Sequence, residues 1–168
     1  EIISLLPENR KILLFSATLE KQVQTLIDNY AADAVFVAQD QEDGPPPSIG
    51  QAVYEVTAEN KYEMFKRVLM KENPDSCMIF CGTREMVNVL FQKLRRDRIF
   101  CGMIHGEMEQ KERLKNVDAF GRGGFRYLIA TDVAARGIDL ENIGLVVNYD
   151  FPTGKDTSVH RRGRTGRK

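Results

Sequence analysis

Short runs of apolar and β-branched residues recur along the chain without sustained polar alternation. Such runs are typical of parallel strands covered on both faces, because neither face of the strand has to meet water. The pattern predicts seven strands, at residues 11–15, 34–37, 52–56, 77–80, 99–104, 127–130 and 143–148.

Between several of these runs, apolar residues spaced three and four positions apart mark one face of an amphipathic helix. Strands that alternate with such helices form right-handed βαβ units. The sequence therefore predicts an α/β fold, a doubly wound parallel sheet flanked by helices. The predicted helical faces carry Tyr62, Phe65 and Leu69, then Val87, Leu90, Phe91 and Leu94, then Leu114, Val117 and Phe120.

One segment interrupts the alternation. Residues 39–48 are acidic, lack apolar side chains and contain three consecutive prolines. Proline cannot continue a helix or a central strand, so an extended connector is expected there. The predicted organisation is a short piece at 1–38, a linker at 39–48 and a main domain at 49–168.

Composition limits how the chain could attract a charged partner. The 168 residues are 42% hydrophobic, enough for one sizeable core. Lys plus Arg equals Asp plus Glu at 24 each, so the chain has no net charge that would attract nucleic acid. Any affinity for nucleic acid must therefore come from a local cluster of positive charge. Local charge is present between Lys155 and Lys168, where Asp156 is the one acidic residue.

The three cysteines have no metal-ligand spacing, and the sequence predicts no metal site. Cys77 and Cys81 lie in or beside an apolar run, where a buried thiol is expected. Unpaired thiols predict a reducing compartment, the cytoplasm. No apolar stretch approaches the roughly 20 residues that span a bilayer, so no membrane partner is expected.

The end of the chain reads H-R-R-G-R-T-G-R at residues 160–167. Guanidinium groups stay charged and present a planar fork that matches phosphate oxygens. A solvated basic tail is the alternative, but such tails rarely carry spaced glycines. The segment predicts contact with a phosphate-rich ligand through His160, Arg161, Arg164 and Arg167.

This arginine segment resembles the final motif of the DEAD-box RNA helicases, and other motifs agree with it in order and spacing. They read S-A-T at 16–18, M-I-F-C-G-T-R at 78–84, H-G-E-M-E-Q-K-E-R at 105–113, A-T-D-V-A-A-R-G-I-D at 130–139 and V-N-Y-D-F-P at 147–152. The resemblance implies a C-terminal RecA-like domain at 49–168, preceded by the tail of the N-terminal RecA-like domain at 1–38.

Part of the chemistry of such an enzyme is missing from this sequence. It contains neither a G-x-x-x-x-G-K-[S/T] phosphate loop nor a D-E-A-D sequence. An ATPase needs these elements to bind phosphates and Mg²⁺. The resemblance implies that ATP and Mg²⁺ are bound mainly by an N-terminal half, so we expect this chain alone to hydrolyse no ATP.

The resemblance also assigns roles on the ATP side. Arg164 and Arg167 would act as arginine fingers on the γ-phosphate, and Asp139 would bind the ribose beside a close backbone approach at Gly137. A turn cap is the alternative for Asp139.

Interdomain coupling forms a second group of roles. His160 and Arg161 would link the nucleotide state to the partner domain, including Ser16 and Thr18. For Arg161, the alternative is a salt bridge within its own domain.

A third set of residues is assigned to RNA. A helix that starts just after a β-strand offers free backbone amides to a phosphate. The loops between these strands and helices are therefore expected to follow the sugar-phosphate backbone of one RNA strand, with little reading of bases. The residues implied are Thr83, Arg84, Gly106, Gln110, Arg113, Thr131, Asp132 and Arg136.

The sequence thus predicts the C-terminal half of an ATP-dependent RNA helicase whose partners are RNA and its own N-terminal domain. The alternatives are a non-catalytic RNA-binding or protein-docking module, and a helicase directed to DNA. Residues 1–38, separated from their sheet, are expected to be disordered, to repack on the main domain or to self-associate with another copy.

Overall fold

A computed structural model describes residues 5, 7, 9–16, 21–37, 49–136, 138, 140, 143–152, 161, 164 and 165. The chain divides into two compact units, Glu1–Asp43 and Gly44–Lys168. The predicted linker at 39–48 lies outside the described residues, so the proposed domain boundaries remain a prediction.

The second unit is built on a parallel sheet of four strands in the order β2-β3-β1-β4. Its strands are β1 Cys77–Cys81, β2 Cys101–Ile104, β3 Tyr127–Thr131 and β4 Leu145–Asn148. The register pairs Ile79 of β1 with Ile129 of β3 and with Val147 of β4. Non-consecutive neighbours require crossover connections, so the predicted doubly wound parallel sheet is confirmed.

Three helices supply those crossovers, one after each of the first three strands, and two more helices precede β1. The chain forms α1 Lys21–Tyr30, α2 Lys61–Glu72, α3 Arg84–Arg96, α4 Gln110–Gly121 and the short α5 Asp132–Ala135. Helix α3 begins where the Thr83 hydroxyl accepts a hydrogen bond from the Met86 amide at 3.1 Å, which satisfies one otherwise unpaired donor. Helix α2 ends at Asn73, which takes the left-handed conformation with φ 39°.

Both faces of the sheet are covered, which explains why β1 is buried along its whole length. Ile79 packs in a core with residues of α2 and α3, such as Phe65 and Leu90. Phe80 points to the opposite core, which includes Phe120 of α4. The predicted helical faces are therefore confirmed, except for Leu114, whose side chain is 59% exposed.

Three predicted strands are wrong. Residues 11–15, 34–37 and 52–56 form no strand in the described part of the chain, and Val35 and Val53 are 90% and 80% exposed. An apolar run indicates only that a segment is suited to burial. A strand also needs a neighbouring strand to which its backbone can hydrogen-bond. These three segments have no such neighbour among the described residues.

The cysteines behave as predicted. Cys77, Cys81 and Cys101 are free and buried in the main unit. Burial raises the pKa of the Cys101 thiol to about 11, so it stays protonated and unreactive at neutral pH.

Candidate functional site

Three loops leave the carboxyl ends of β1, β2 and β3 at one edge of the sheet. In open α/β sheets, ligands bind in the crevice outside these ends. The eight residues predicted to contact RNA lie in these loops or in the strand end and helix turns that adjoin them, so the fold brings that set to a common edge.

The loop after β1 presents Thr83 and Arg84 at the start of α3. Arg84 forms ion pairs with Glu85, at 2.7 Å from Nε to Oε1, and with Glu107 of the neighbouring loop. The hydrogen bond from Arg84 holds the pKa of the Glu85 carboxyl below its ordinary value. The Arg84 side chain is half exposed, so its charge stays accessible while two carboxylates hold it in place.

The loop after β2 leads through His105 and Gly106 into α4. Arg113 of α4 donates from Nη1 to Gln110 Oε1 and from Nη2 to the carbonyl oxygen of Ala134, each at 3.2 Å. The second bond ties α4 to α5, the helix that follows β3. Two buried atoms, His105 Nδ1 and Arg113 Nε, have no hydrogen-bond partner within the described residues.

The loop after β3 begins with a second threonine cap. Thr131 Oγ1 accepts from the Ala134 amide at 3.4 Å and starts α5. Asp132, the first residue of α5, turns its carboxylate toward Arg161. Arg136 lies exposed just beyond the helix.

Arg161 of the arginine segment is 2% exposed and is held by several groups. Its Nε and Nη2 donate to the two carboxylate oxygens of Asp132, at 2.6 and 2.8 Å. Its Nη1 donates to Asn148 Oδ1 at 2.9 Å and to the Asp150 carbonyl oxygen at 2.8 Å. The guanidinium carbon also lies 5.1 Å from the centre of the Phe80 ring. Arg161 therefore forms a salt bridge within its own unit, and its predicted role in interdomain coupling stays a prediction.

Arg164 lies close to the predicted ribose loop. Its Nη1 donates a hydrogen bond to the carbonyl oxygen of Ile138, the residue between Gly137 and Asp139. The neighbouring Thr165 hydroxyl donates to the Ile143 carbonyl oxygen at 2.6 Å. Arg164 and Thr165 thus bond the part of the chain that follows α5 at Ile138 and Ile143.

Most of the other residues predicted to contact the nucleotide or to couple the two domains are not among the described residues. Gly137, Asp139, His160, Arg167 and Thr18 lie outside the described residues, so their roles remain predictions. Ser16 is described and exposed, in the first unit.

Sequence reasoning missed the groups that hold these site residues in place. Glu107 pairs with Arg84, Asn148 accepts from Arg161, and Lys61 pairs with Asp150. Asn148 and Asp150 stand in the V-N-Y-D-F-P motif, which offered a signal. Glu107 also stands in a quoted motif, at 105–113, whereas Lys61 stands in none, and nothing in the sequence indicates that Asp150 is its partner.

Among the residues described, no group of three or more His, Cys, Asp or Glu side chains could hold a metal ion. The same part of the chain contains no helix long and apolar enough to cross a membrane.

Comparison with known proteins agrees with this geometry. The family described as helicase conserved C-terminal domain matches residues 60–168. The chain belongs to this family. The chain is 48% identical over 166 residues to ATP-dependent RNA helicase DbpA of Bacillus subtilis (strain 168), covering 99% of this chain and 35% of that protein.

Two further curated relatives support the DEAD-box resemblance, which is confirmed. DbpA of Escherichia coli (strain K12) is 34% identical over 167 residues, covering 99% of this chain and 36% of that protein. DEAD-box ATP-dependent RNA helicase CshB of Staphylococcus aureus is 35% identical, with 99% and 37% covered. The helicase C-terminal domain and its preceding piece thus span about a third of these relatives.

Solved structures confirm the RecA-like fold. S. cerevisiae Dbp5 bound to RNA and ADP BeF3 superposes with a TM-score of 0.87 at 31% identity, covering 99% of this chain and 44% of that one. A DEAD box protein from Methanococcus jannaschii gives a TM-score of 0.69 at 33% identity, with 99% and 44% covered. E. coli SrmB bound to RraA gives 0.61 at 37% identity, with 65% and 64% covered.

Proposed function

We propose that this chain is the C-terminal half of an ATP-dependent RNA helicase. It would bind the backbone of single-stranded RNA and supply arginines to ATP held mainly by an N-terminal half. The observation that carries the proposal is the ion pair between Arg161 and Asp132, which joins the arginine segment directly to the loops at the carboxyl edge of the sheet.

On the nucleotide side, the described residues fit a phosphate-rich ligand. Arg164 places a partly buried guanidinium against the Ile138 carbonyl oxygen, and the bonds of Arg161 fix the chain three residues before it. A bound ATP supplies the phosphoryl group that is transferred to water, and Mg²⁺ would be held by the other half. Arg164 and Arg167 would stabilise negative charge in the transition state, while Asp139 would orient the ribose.

On the RNA side, we propose that the three loops follow one strand by phosphate contact. The exposed Arg84, the amides at the start of α3 and the helix dipole all favour an anion there. A Cβ at Gly106 would meet no atom within 4 Å, so there is room for a nucleic-acid backbone to approach this side of the glycine. Contacts to the phosphate backbone carry little information about the base sequence, so we expect an enzyme that binds RNA without sequence specificity.

The remaining parts of the proposal concern partners and location. Closure against an N-terminal RecA-like domain would bring Ser16, Thr18 and His160 into the coupling path. Self-association through residues 1–38 is supported by the exposed side chains of Leu13 and Phe15, and light scattering of the chain at rising concentration tests it. Three free thiols support a cytoplasmic location.

The test distinguishes the nucleotide-binding residues from the RNA-binding residues, and it uses a full-length enzyme that contains this chain. Arg164→Ala should lower RNA-stimulated kcat about 10²-fold, because its contact is made mainly in the transition state. RNA affinity measured without nucleotide should change little. Arg84→Ala should instead weaken RNA binding and flatten its salt dependence, with nucleotide affinity nearly unchanged.

Arg122→Ala is the matched control, since Arg122 is an exposed arginine directly after α4 whose ion-pair partner is Asp118 of that helix. Normal hydrolysis by Arg164→Ala together with lost RNA binding would support the non-catalytic RNA module instead. Stimulation by DNA as strong as by RNA would support the DNA-directed alternative. Turnover by the isolated chain above a mock preparation would contradict the division of labour between halves.

A further inference from the structure

Asp150 follows β4 and uses four of its polar groups at once. Its carboxylate accepts a hydrogen bond from Lys61 Nζ at 2.6 Å and another from the Gly82 amide at 2.9 Å. Its carbonyl oxygen accepts from Arg161 Nη1 at 2.8 Å. Its own amide donates to the Phe80 carbonyl oxygen at 3.2 Å.

These bonds connect two regions that the proposed function assigns to different ligands. Gly82 is the residue just before Thr83 and Arg84, so its amide lies at the base of the proposed RNA loop. Arg161 belongs to the arginine segment on the nucleotide side. Asp150 holds one region by its side chain and the other by its backbone.

The surroundings of Asp150 make this connection stiff. Phe80, at the end of β1, accepts from the amides of both Tyr149 and Asp150, which fixes the backbone after β4 against β1. Lys61 lies 4.3 Å from the centre of the Tyr149 ring while it pairs with the carboxylate. The Asp150 side chain is 25% exposed, so its bond to the Gly82 amide is only partly open to competition from water.

We propose that Asp150 is a positioning residue that couples the arginine segment to the RNA loop after β1. A shift of Arg161 moves the Asp150 backbone, and the carboxylate passes that shift to Gly82 and to the loop that carries Thr83 and Arg84. The coupling of RNA binding to nucleotide binding rests on the proposed function, whereas the link from Arg161 through Asp150 to Gly82 does not.

The first test measures that link alone, by amide hydrogen exchange resolved to Gly82 in the full-length protein. Asp150→Ala should speed exchange at Gly82 about 10-fold, because the amide loses a charged acceptor. Asp150→Asn, a milder variant, should speed it about 3-fold. Arg161→Lys should also speed it about 3-fold, although the carbonyl oxygen is the one group of Asp150 to which Arg161 donates. Wild-type exchange at Gly82 in all three variants overturns the proposal.

The second test measures coupling between ligands in the same protein. The readout is the ratio of RNA affinities with and without a non-hydrolysable ATP analogue. Asp150→Ala should lower this ratio about 10-fold while nucleotide affinity without RNA stays within about 2-fold. A merely structural role would reduce stability and leave the ratio unchanged, and that result overturns the proposal.

Asp118→Ala is the matched control, because Asp118 is a carboxylate of α4 whose ion-pair partner, Arg122, directly follows that helix. It should leave both readouts at their wild-type values. If the wild-type enzyme shows no RNA-stimulated hydrolysis, the proposed function fails, whereas the exchange test at Gly82 still decides whether Asp150 links the two segments.

Discussion

Arg161 and Asp132 form a two-point ion pair, with Nε to Oδ1 at 2.6 Å and Nη2 to Oδ2 at 2.8 Å. The arginine is buried, whereas the aspartate side chain keeps 26% of its surface exposed. The fork geometry fixes the relative orientation of α5 and the arginine segment more tightly than a single contact would.

Breaking this pair should destabilise the domain. Asp132→Asn removes the charge that faces a buried guanidinium, so we expect the free energy of unfolding to fall by about 2–4 kcal/mol. Urea denaturation monitored by circular dichroism measures the change. Asp118→Asn, which removes an exposed carboxylate with its own arginine partner, should cost under about 0.5 kcal/mol. Equal effects of the two substitutions would contradict the energetic role of burial.

Glu107 should weaken RNA binding by competing for Arg84. Glu107→Gln removes a negative charge beside the proposed phosphate contact, so RNA affinity should rise about 3-fold at low salt and approach the wild-type value as salt increases. Fluorescence anisotropy across a salt series measures this. The control is Glu63→Gln, because the two glutamates are 61% and 62% exposed and each pairs with a cation. Weaker RNA binding by Glu107→Gln would show that the glutamate positions Arg84 instead.

Gly102 of β2 is required by close packing of an aromatic ring. A Cβ at this position would overlap Cζ of Phe125 and lie 2.6 Å from its Cε2. Phe125 is itself confined, since its ring packs against Phe100 and Phe120 at centroid distances of 6.2 and 5.9 Å. Gly102→Ala should therefore lower the unfolding free energy by about 1–3 kcal/mol.

Thermal or urea unfolding measures the cost at Gly102, and Gly106→Ala is the control because its Cβ would meet no atom within 4 Å. Combining Gly102→Ala with Phe125→Leu should cost less than the sum of the single changes, since the smaller side chain relieves the overlap. Strict additivity of the two would contradict this explanation.

The contribution of Asp97 to the free energy of unfolding should depend on pH only in the acidic range. Its carboxylate accepts from Lys66 Nζ at 2.7 Å and from the Tyr62 hydroxyl at 3.1 Å. The bond from Lys66, followed by that from Tyr62, holds the pKa of Asp97 below its ordinary value of 3.8. Burial and the nearby carboxylate raise the pKa of Tyr62 to about 12, so the tyrosine remains a donor at neutral pH.

A carboxyl whose pKa is lowered by folding stabilises the protein above its unfolded pKa, and this contribution is lost as pH falls through the folded value. Wild type should thus be more stable than Asp97→Asn by a constant margin from about pH 5 to 8, and the margin should shrink below about pH 4. Urea midpoints at each pH measure it. A margin that persists unchanged at about pH 2 would contradict the assignment.

The main α/β sheet could be predicted from sequence because its signals are local. The run at Cys77–Cys81 is apolar at every position, and the spacing of Val87, Leu90 and Leu94 places them on one helical face. The same local signal overestimated the strands. Residues 52–56 have the composition of a strand but lack a neighbour among the described residues, and composition carries no information about neighbours.

The sequence by itself also determined the chemical type of the site, since its arginines, threonine caps and glycines stand in an order that resembles one helicase family. Which groups those residues touch was decided by the tertiary structure alone. Asp150 meets Gly82 and Lys61 across long separations in the chain, and Arg161 likewise meets Asp132 of α5. Such contacts depend on which strands become neighbours, and parallel pairing brings together loops that local sequence patterns describe only one at a time.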